Sequence, residues 1–278
     1  MTTTHMVAIT RNVSRSLGGC ELSFVPRSEI DLDRAAAQHL AYQQALRSLG
    51  CRVLALPAQD ALPDAVFVED VALVLDEVAV MTRPGAESRR AEVSSVAAVL
   101  AEYRSLLHID APGTLDGGDV LRIGRAIYVG QSARSNAAGV AQLRELVAPH
   151  GYTVQGVTTR DCLHLKSAVT QVADDTLLIQ PAWVDADAFA GYRLIEVDPA
   201  EEHAANALRV GDGLLYKGLI YPDCFARTQQ RLRDAGIAVT TVDVSELQKA
   251  EGAVTCCSLV FREAAVSWAL STASMGSL

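Results

Sequence analysis

The chain has 278 residues, with 50% hydrophobic and 21% charged side chains, the profile of a globular protein able to bury a large core without disulfides or metals. A formal net charge of -9 and a pI near 5.1 argue against nucleic acid and anionic membranes, which reward a basic face, and suit a small cationic partner better. No apolar run approaches the ~18 residues of a membrane span, so a cytoplasmic protein with reduced cysteines is expected.

The opening MTTTHMVAITRN lacks the basic, apolar and small-residue regions of a signal peptide, and its HM pair at His5 and Met6 reads as a cloning scar or as native chain. MVAITRNV then predicts a strand, and DLDRAAAQHLAYQQALRSLG a helix. Residues 71–103 read as strand, tight turn, strand, polar loop and amphipathic helix. Residues 120–151 repeat that grammar, residues 168–192 give a shorter version with a weak helix, and residues 207–236 repeat it again. Near the end, SLVFRE opens a further unit that the N-terminal strand and helix complete.

Five copies of a ββαβ unit, the last closed by the two ends of the chain, predict an α/β fold. It is a ring of modules about a pseudo-fivefold axis with helices outside. Two-residue turns such as GR and DG imply antiparallel hairpins, which a doubly wound parallel sheet does not use. Without linkers rich in Gly, Pro or Ser, residues 1–278 read as one domain, its core about 5–263 and the polar tail 264–278 expected to fray.

Ring closure has a chemical consequence, because residues just before each module's first strand should converge near the axis. They are FVED (67–70), TLDGGD (114–119), HLKS (164–167), EEHAAN (201–206) and TCCS (255–258). If Gly252 to Phe261 is one strand, Cys256 and Cys257 face opposite ways and can share neither a disulfide nor a metal ion. One then faces the axis, and strand parity does not say which. His164 occupies the equivalent place two modules earlier, where a thiol nucleophile needs a base. No C-x-x-C pair supports structural zinc.

Glu69 and Asp70 end the apolar run AVFVED, with Asp64 just before it, and isolated acidic residues at a strand end are usually solvated. DGGD alone reads as an ordinary turn. Gathered at module edges, however, these carboxylates suit a planar guanidino or amidino cation. Arg89 and Arg134 lie in matching loops of successive modules and read either as solvated surface residues or as a grip on a substrate carboxylate at the pocket rim. Neither a P-loop nor a dinucleotide-binding glycine pattern is present.

With these residues in place the sequence resembles the dimethylarginine dimethylaminohydrolase family of the guanidino-modifying superfamily, from about His5 to Phe261. The matching motifs are LPDAVFVEDVA, TRPGAESRR, TLDGGDV, HLKS and TCCS. The resemblance implies a five-bladed α/β propeller, the pentein fold, and hydrolysis of N-ω-methylated arginines to citrulline and an alkylamine. It implies Cys256 as nucleophile, His164 as general acid and base, and Asp116 as the carboxylate beside the histidine. It further implies Asp64, Glu69 and Asp70 around the guanidinium, with Arg89 and Arg134 on the substrate α-carboxylate. Carbonyls at Leu22, Ala250 and Glu251 would receive the α-amino group, and a change from the family's frequent Asp at position 251 should matter little if that contact is main-chain. SLGGCELSF takes the place of the family's mobile lid.

No metal or organic cofactor is implied. The partners are a small guanidino substrate and, as an open oligomeric option, a second copy in a homodimer. Arginine deiminase or amidinotransferase chemistry, or a non-catalytic guanidino- or zinc-binding protein using Cys256, Cys257 and His164, are the alternative readings.

Overall fold

Gly124, at φ +59°, reverses the chain in two residues between a strand ending at Ile123 and one starting at Ala126. That hairpin is the start of one module, and the computed structural model repeats it around a ring. Residues 5–211 and 216–263 are described. The expectations for the tail 264–278 lie outside them.

In chain order the strands begin with β1 (Met6–Arg11) and β2 (Cys51–Leu56), then β3 (Ala72–Val74), β4 (Val78–Met81) and β5 (Ser105–His108). Next come β6 (Val120–Ile123), β7 (Ala126–Gln131) and β8 (Thr153–Thr158), followed by β9 (Val169–Ala173), β10 (Thr176–Ile179) and β11 (Arg193–Glu196). The last are β12 (Leu208–Val210), β13 (Gly218–Pro222), β14 (Val239–Val242) and β15 (Leu259–Arg262). They form five three-stranded sheets, ordered β15-β1-β2, β3-β4-β5, β6-β7-β8, β9-β10-β11 and β12-β13-β14.

Every sheet follows one rule, in which the middle strand runs antiparallel to the first and parallel to the third. A parallel pair needs a crossover. Helices α1 (Leu32–Ser48), α2 (Val93–Leu100) and α3 (Ala137–Val147) supply it in three modules. Short α4 (Leu165–Ala168) precedes β9, α5 (Ala226–Asp234) is another crossover, and α6 (Ser245–Gln248) leads towards β15. Between β10 and β11 the crossover shrinks to a 3₁₀ turn, Ala186–Phe189, the weak helix expected there.

The ring closes as expected, with Met6 opposite Arg262 and Ile9 opposite Leu259 in antiparallel register. In the helix that follows, Asp31 caps α1 by accepting from the Arg34 N–H at 3.0 Å, and Ala35, Tyr42 and Leu46 form its buried face. Tyr42 is fully buried, and its hydroxyl donates to the Val254 carbonyl at 2.8 Å while lying 2.6 Å from Ser258 Oγ. A helix at the start of the chain thus anchors the TCCS segment near its end.

The strand expected over Gly252–Phe261 is shorter. Residues 254–257 form a turn, and only Leu259–Arg262 pairs with β1. Backbone groups that a strand would pair are taken elsewhere: the Thr255 N–H donates to Asn206 Oδ1 at 3.1 Å, and the Cys256 carbonyl accepts from the Glu69 N–H at 3.1 Å.

First strands of the modules surround a central channel of about 870 Å³. Ion pairs line it towards the hairpin tips, Arg122 with Asp76 at 2.7 Å and Arg209 with Asp174 at 2.5 Å. Glu69, Lys166 and Thr255 line it at the opposite end of those strands, beneath the site described next. No helix among the described residues is long and apolar enough to cross a membrane.

Candidate active site

The 254–257 turn sends its two thiols different ways without the help of strand parity. Cys257 is fully buried, with its thiol donating to the Ala253 carbonyl at 3.4 Å. Cys256 is half-buried and opens on a small cavity that His164 also lines. All six cysteines are free, and Cys257, turned into the core, cannot join Cys256 and His164 around a zinc ion.

His164 is buried just ahead of α4, with Nε2 3.1 Å from Asp116 Oδ2 and Nδ1 3.9 Å from Asp70 Oδ1. Asp116 is fully buried and its other oxygen accepts from the Gly85 N–H at 2.9 Å, so the carboxylate is aimed at the ring. DGGD is more than a turn. A Cβ on Gly118 would lie 2.5 Å from His164 Nδ1 and 2.8 Å from Asp70 Oδ1, and one on Gly117 would lie 1.9 Å from the Glu69 carbonyl. Glycine is required there for the two module edges to touch.

Burial alone would lower the His164 pKa, but Asp70, the bond to Asp116 and the charge of Asp119 outweigh it and raise it to about 9. Burial would likewise raise Asp70, yet His164 and Arg89 bring it down to about 2. The Cys256 thiol is pushed up to about 12, first by burial and then by the Glu69 and Asp70 carboxylates. Near neutral pH the site therefore holds an imidazolium and a neutral thiol.

The raised His164 pKa has a thermodynamic signature. An unfolded histidine titrates near ~6.5, so the stabilisation from charging His164 is complete below about pH 6.5 and disappears as pH rises through about 9. In urea unfolding, the stability gap between the protein and His164→Gln should shrink over that interval. A gap that widens with pH would contradict the cationic ring.

Arg89 and Arg134 both reach the cavity, but neither is a solvated surface residue, and Arg89 is not at its rim. Arg89 is buried, with Nη1 2.5 Å from Asp70 Oδ2, and Nε and Nη2 forked onto Glu92 at 3.1 and 2.8 Å. Its Nη2 also reaches the carbonyls of Asp64 and Phe67 at 3.3 and 3.1 Å. Asp70 consumes that cation because both lie in the interior, where an unpaired charge is costly. Arg134 is less committed, with Nη2 3.4 Å from Ser23 Oγ.

Asp64 lines the cavity, and burial raises its pKa. Glu69 does not line it. Its carboxylate turns to the channel side, 2.5 Å from Lys166 Nζ, and accepts from Thr255 Oγ1 at 2.7 Å. Asn206, the contribution of EEHAAN, donates to the Lys166 carbonyl and to Thr255 Oγ1, both at 3.0 Å, whereas the Glu202 and His203 side chains remain exposed.

Over the top lies the segment around Leu22, whose side chain packs on the core next to α1 and does not line the cavity. Ala250 and Glu251 do line it. The main-chain role implied for Glu251 misses what its side chain does. From a left-handed residue at φ +58°, the carboxylate accepts the N–H groups of Ser23 (3.0 Å), Phe24 and Val25 (2.8 Å). Glu21 is held from the other side, its N–H by Asp64 Oδ2 at 3.2 Å and its carboxylate by Ser88 Oγ at 2.6 Å.

The cavity so enclosed measures about 20 Å³, room for roughly one water. Any amino-acid-sized ligand must lift the 21–25 segment. By freeing that segment, Glu251→Ala should therefore lower KM about three- to tenfold with a smaller change in kcat, and speed tryptic cleavage after Arg27. Unaltered KM and cleavage would show that this clasp does not hold the segment.

Glu21, Phe67 and Leu163 also line the cavity and were not singled out by sequence. Phe67 stands inside the FVED motif, and a Cβ on Gly252 would lie 2.2 Å from its ring, but no spacing rule marks either. The His, Cys and acidic side chains close enough to share a metal ion, among the described residues, are Asp70, Asp116 and His164. Asp70 already serves Arg89 and the Gly118 N–H, and Asp116 serves Gly85 and His164.

Comparison with known proteins agrees with this geometry. The family model described as N,N dimethylarginine dimethylhydrolase, eukaryotic, matches residues 23–262. The chain is 40% identical over 257 residues to the N(G),N(G)-dimethylarginine dimethylaminohydrolase of Streptomyces coelicolor, covering 92% of this chain and 97% of that protein. Identity to the enzyme of that name from Pseudomonas aeruginosa is 35% over 233 residues, covering 83% and 90%. A crystal structure of a cysteine-to-serine mutant of the Pseudomonas enzyme complexed with citrulline superposes with a TM-score of 0.85 at 32% identity, over 91% of this chain and 98% of that one. With the family model spanning most of its length and the five-sheet ring in common, the chain belongs to the dimethylarginine dimethylaminohydrolase family.

Proposed function

We propose that the protein hydrolyses N-ω-methylated arginines to citrulline and methylamine or dimethylamine, with Cys256 as nucleophile. The observation that carries this reading is the opening of Cys256, His164, the Asp70 carboxylate and Arg134 on one enclosed cavity. Citrulline bound to the Pseudomonas relative supports the product. A cytoplasmic setting suits six free thiols.

Each residue's part follows from its surroundings. The substrate guanidinium enters beside Asp70 and Asp64, whose carboxylates match its planar N–H edges. Its α-carboxylate meets Arg134, with Arg89 behind Asp70, and the α-amino group meets main-chain carbonyls at Leu22, Ala250 and Glu251. Glu69 contributes from beneath, through Thr255 and the charge it places near Cys256.

Arrival of a cation reverses the field that keeps the thiol neutral, since an opposite charge lowers a thiol pKa, and the thiol proton leaves to solvent as the substrate binds. Thiolate sulfur attacks the guanidinium carbon to form a C–S bond. His164, already protonated, gives its proton to the methylated nitrogen as the C–N bond breaks and the amine leaves. A covalent thiouronium on Cys256 remains. Neutral His164, held by Asp116, takes a proton from water as its oxygen adds to the same carbon. Collapse breaks the C–S bond and restores the thiolate, and the added oxygen gives up its remaining proton to solvent or the departed amine, releasing citrulline.

Acid quenching during turnover, followed by mass spectrometry of the tryptic peptides, tests the covalent step. A substrate-derived adduct on the peptide bearing Cys256 is expected and should vanish in Cys256→Ser but persist in Cys257→Ser. An adduct that survives Cys256→Ser would overturn the assignment.

A further inference from the structure

Asp119, the second aspartate of DGGD, is fully buried without touching the cavity. The partners described for its carboxylate are uncharged. Oδ1 accepts from the Leu165 N–H at 3.0 Å, and Oδ2 accepts from Ser132 Oγ at 2.6 Å and Ser135 Oγ at 2.7 Å. A buried carboxylate lacking an adjacent Lys or Arg is expensive to keep, and burial, the largest influence, raises its pKa. Even the backbone makes room for it, since a Cβ on Gly130 would lie 2.7 Å from Oδ1.

What the carboxylate organises lies one bond further out. A hydroxyl that donates to a carboxylate has only lone pairs left to offer elsewhere. Ser135 Oγ, so oriented, accepts from the Asp116 N–H at 3.1 Å, and Ser132 Oγ accepts from the Arg134 N–H at 3.0 Å. Leu165 directly follows His164. The same carboxylate therefore holds the backbone beside the acid–base histidine, the backbone of that histidine's partner, and the backbone of Arg134, which also lines the cavity.

We propose that ionised Asp119 is a positioning residue for the reaction, setting the distance between the His164–Asp116 pair and Arg134 and so fixing the reacting carbon and the substrate carboxylate in one frame. The inference rests on the proposed function for the role of Arg134, but the hydrogen-bond hub is independent of it. Acceptor-only character is what the hub needs. Asn in this place would offer an N–H₂ group to at least one serine, turn that hydroxyl round, and release Arg134 or Asp116. It would also remove one of the negative charges around His164, whose other charged and titratable neighbours among the described residues are Asp70 with its partner Arg89, Asp116, Cys256 on the same cavity, and Cys162, whose thiol donates to the His164 carbonyl at 3.4 Å.

The test uses three variants of the full chain. Asp119→Asn should lower kcat by about 10- to 100-fold, and the His164 ring, assigned by its loss in His164→Gln, should titrate at lower pH by NMR than in the parent. Ser135→Ala, on the Asp116 side, should act chiefly on kcat by about two- to tenfold. Ser132→Ala, on the Arg134 side, should act chiefly on KM by a similar factor. An unmoved His164 titration in Asp119→Asn, or serine variants that change kcat and KM alike, would overturn the proposal. Should Asp119→Asn fail to fold, the serine pair decides. A parent that turns over no methylated arginine would defeat the proposed function alone, while the His164 titration still judges Asp119.

Discussion

Cys256→Ser should abolish turnover of a methylated arginine, by about 10⁴-fold or more, while unfolding at the same urea concentration as the parent. A serine hydroxyl fits the half-buried place but is a far poorer nucleophile at neutral pH. Cys257→Ser should keep most of the activity, because its side chain points into the core and bonds the Ala253 carbonyl, a contact a serine hydroxyl can also make. Its cost should fall on stability, about 1 kcal/mol for a buried change of this size. An inactive Cys257→Ser beside an active Cys256→Ser would reverse the roles of the pair.

Asp70→Asn should be the most damaging change that leaves Cys256 and His164 in place. It breaks the ion pair with Arg89, and both side chains are nearly inaccessible, so about 3–5 kcal/mol of stability should be lost through the stranded guanidinium. It also removes the strongest of the influences that keep the His164 ring protonated, so that ring, the proposed general acid, should titrate at lower pH than about 9. Together with the lost guanidinium contact, kcat/KM should fall by about 10²- to 10⁴-fold, measured well below the variant's own unfolding temperature. A variant with parental stability and a parental pH profile would show that the Asp70 charge is not what holds Arg89 and His164.

Much of this site could be read before any fold was known, because the module repeat converts sequence position into spatial position. Residues ahead of a first strand occupy equivalent corners of a ring. That reasoning alone brought Asp70, His164 and the cysteine pair together across almost two hundred residues, while resemblance to a family supplied the choice of Cys256, the pairing of Asp116 with His164, and the roles implied for Leu22, Ala250 and Glu251. What escaped detection depends on contacts that carry no periodicity. The expected strand over the cysteines yields to a turn because Asn206 and Glu69, each from another module, claim its backbone groups.

Arg89 reads from sequence either as a solvated arginine or as a grip at the pocket rim, and nothing in TRPGAESRR indicates that Asp70 and Glu92 would draw it inside. Glu69 and Asp70 are neighbours in sequence, yet a 3₁₀ turn over Val68–Val71 sends one carboxylate to the channel and the other to the cavity. Glu251 clasps three N–H groups more than two hundred residues away, and only closure of the ring brings them within reach. Long-range polar contacts of this kind are set by tertiary geometry, whereas strands and hairpins follow local pattern.

Citrulline release from asymmetric dimethylarginine, monomethylarginine and arginine, assayed in parallel with Cys256→Ser as the blank, tests the central claim most directly. Rapid release of citrulline and one equivalent of alkylamine from the methylated substrates, with little from arginine, is the predicted result. Silence on both methylated arginines from folded protein, or a rate that survives Cys256→Ser, would contradict it.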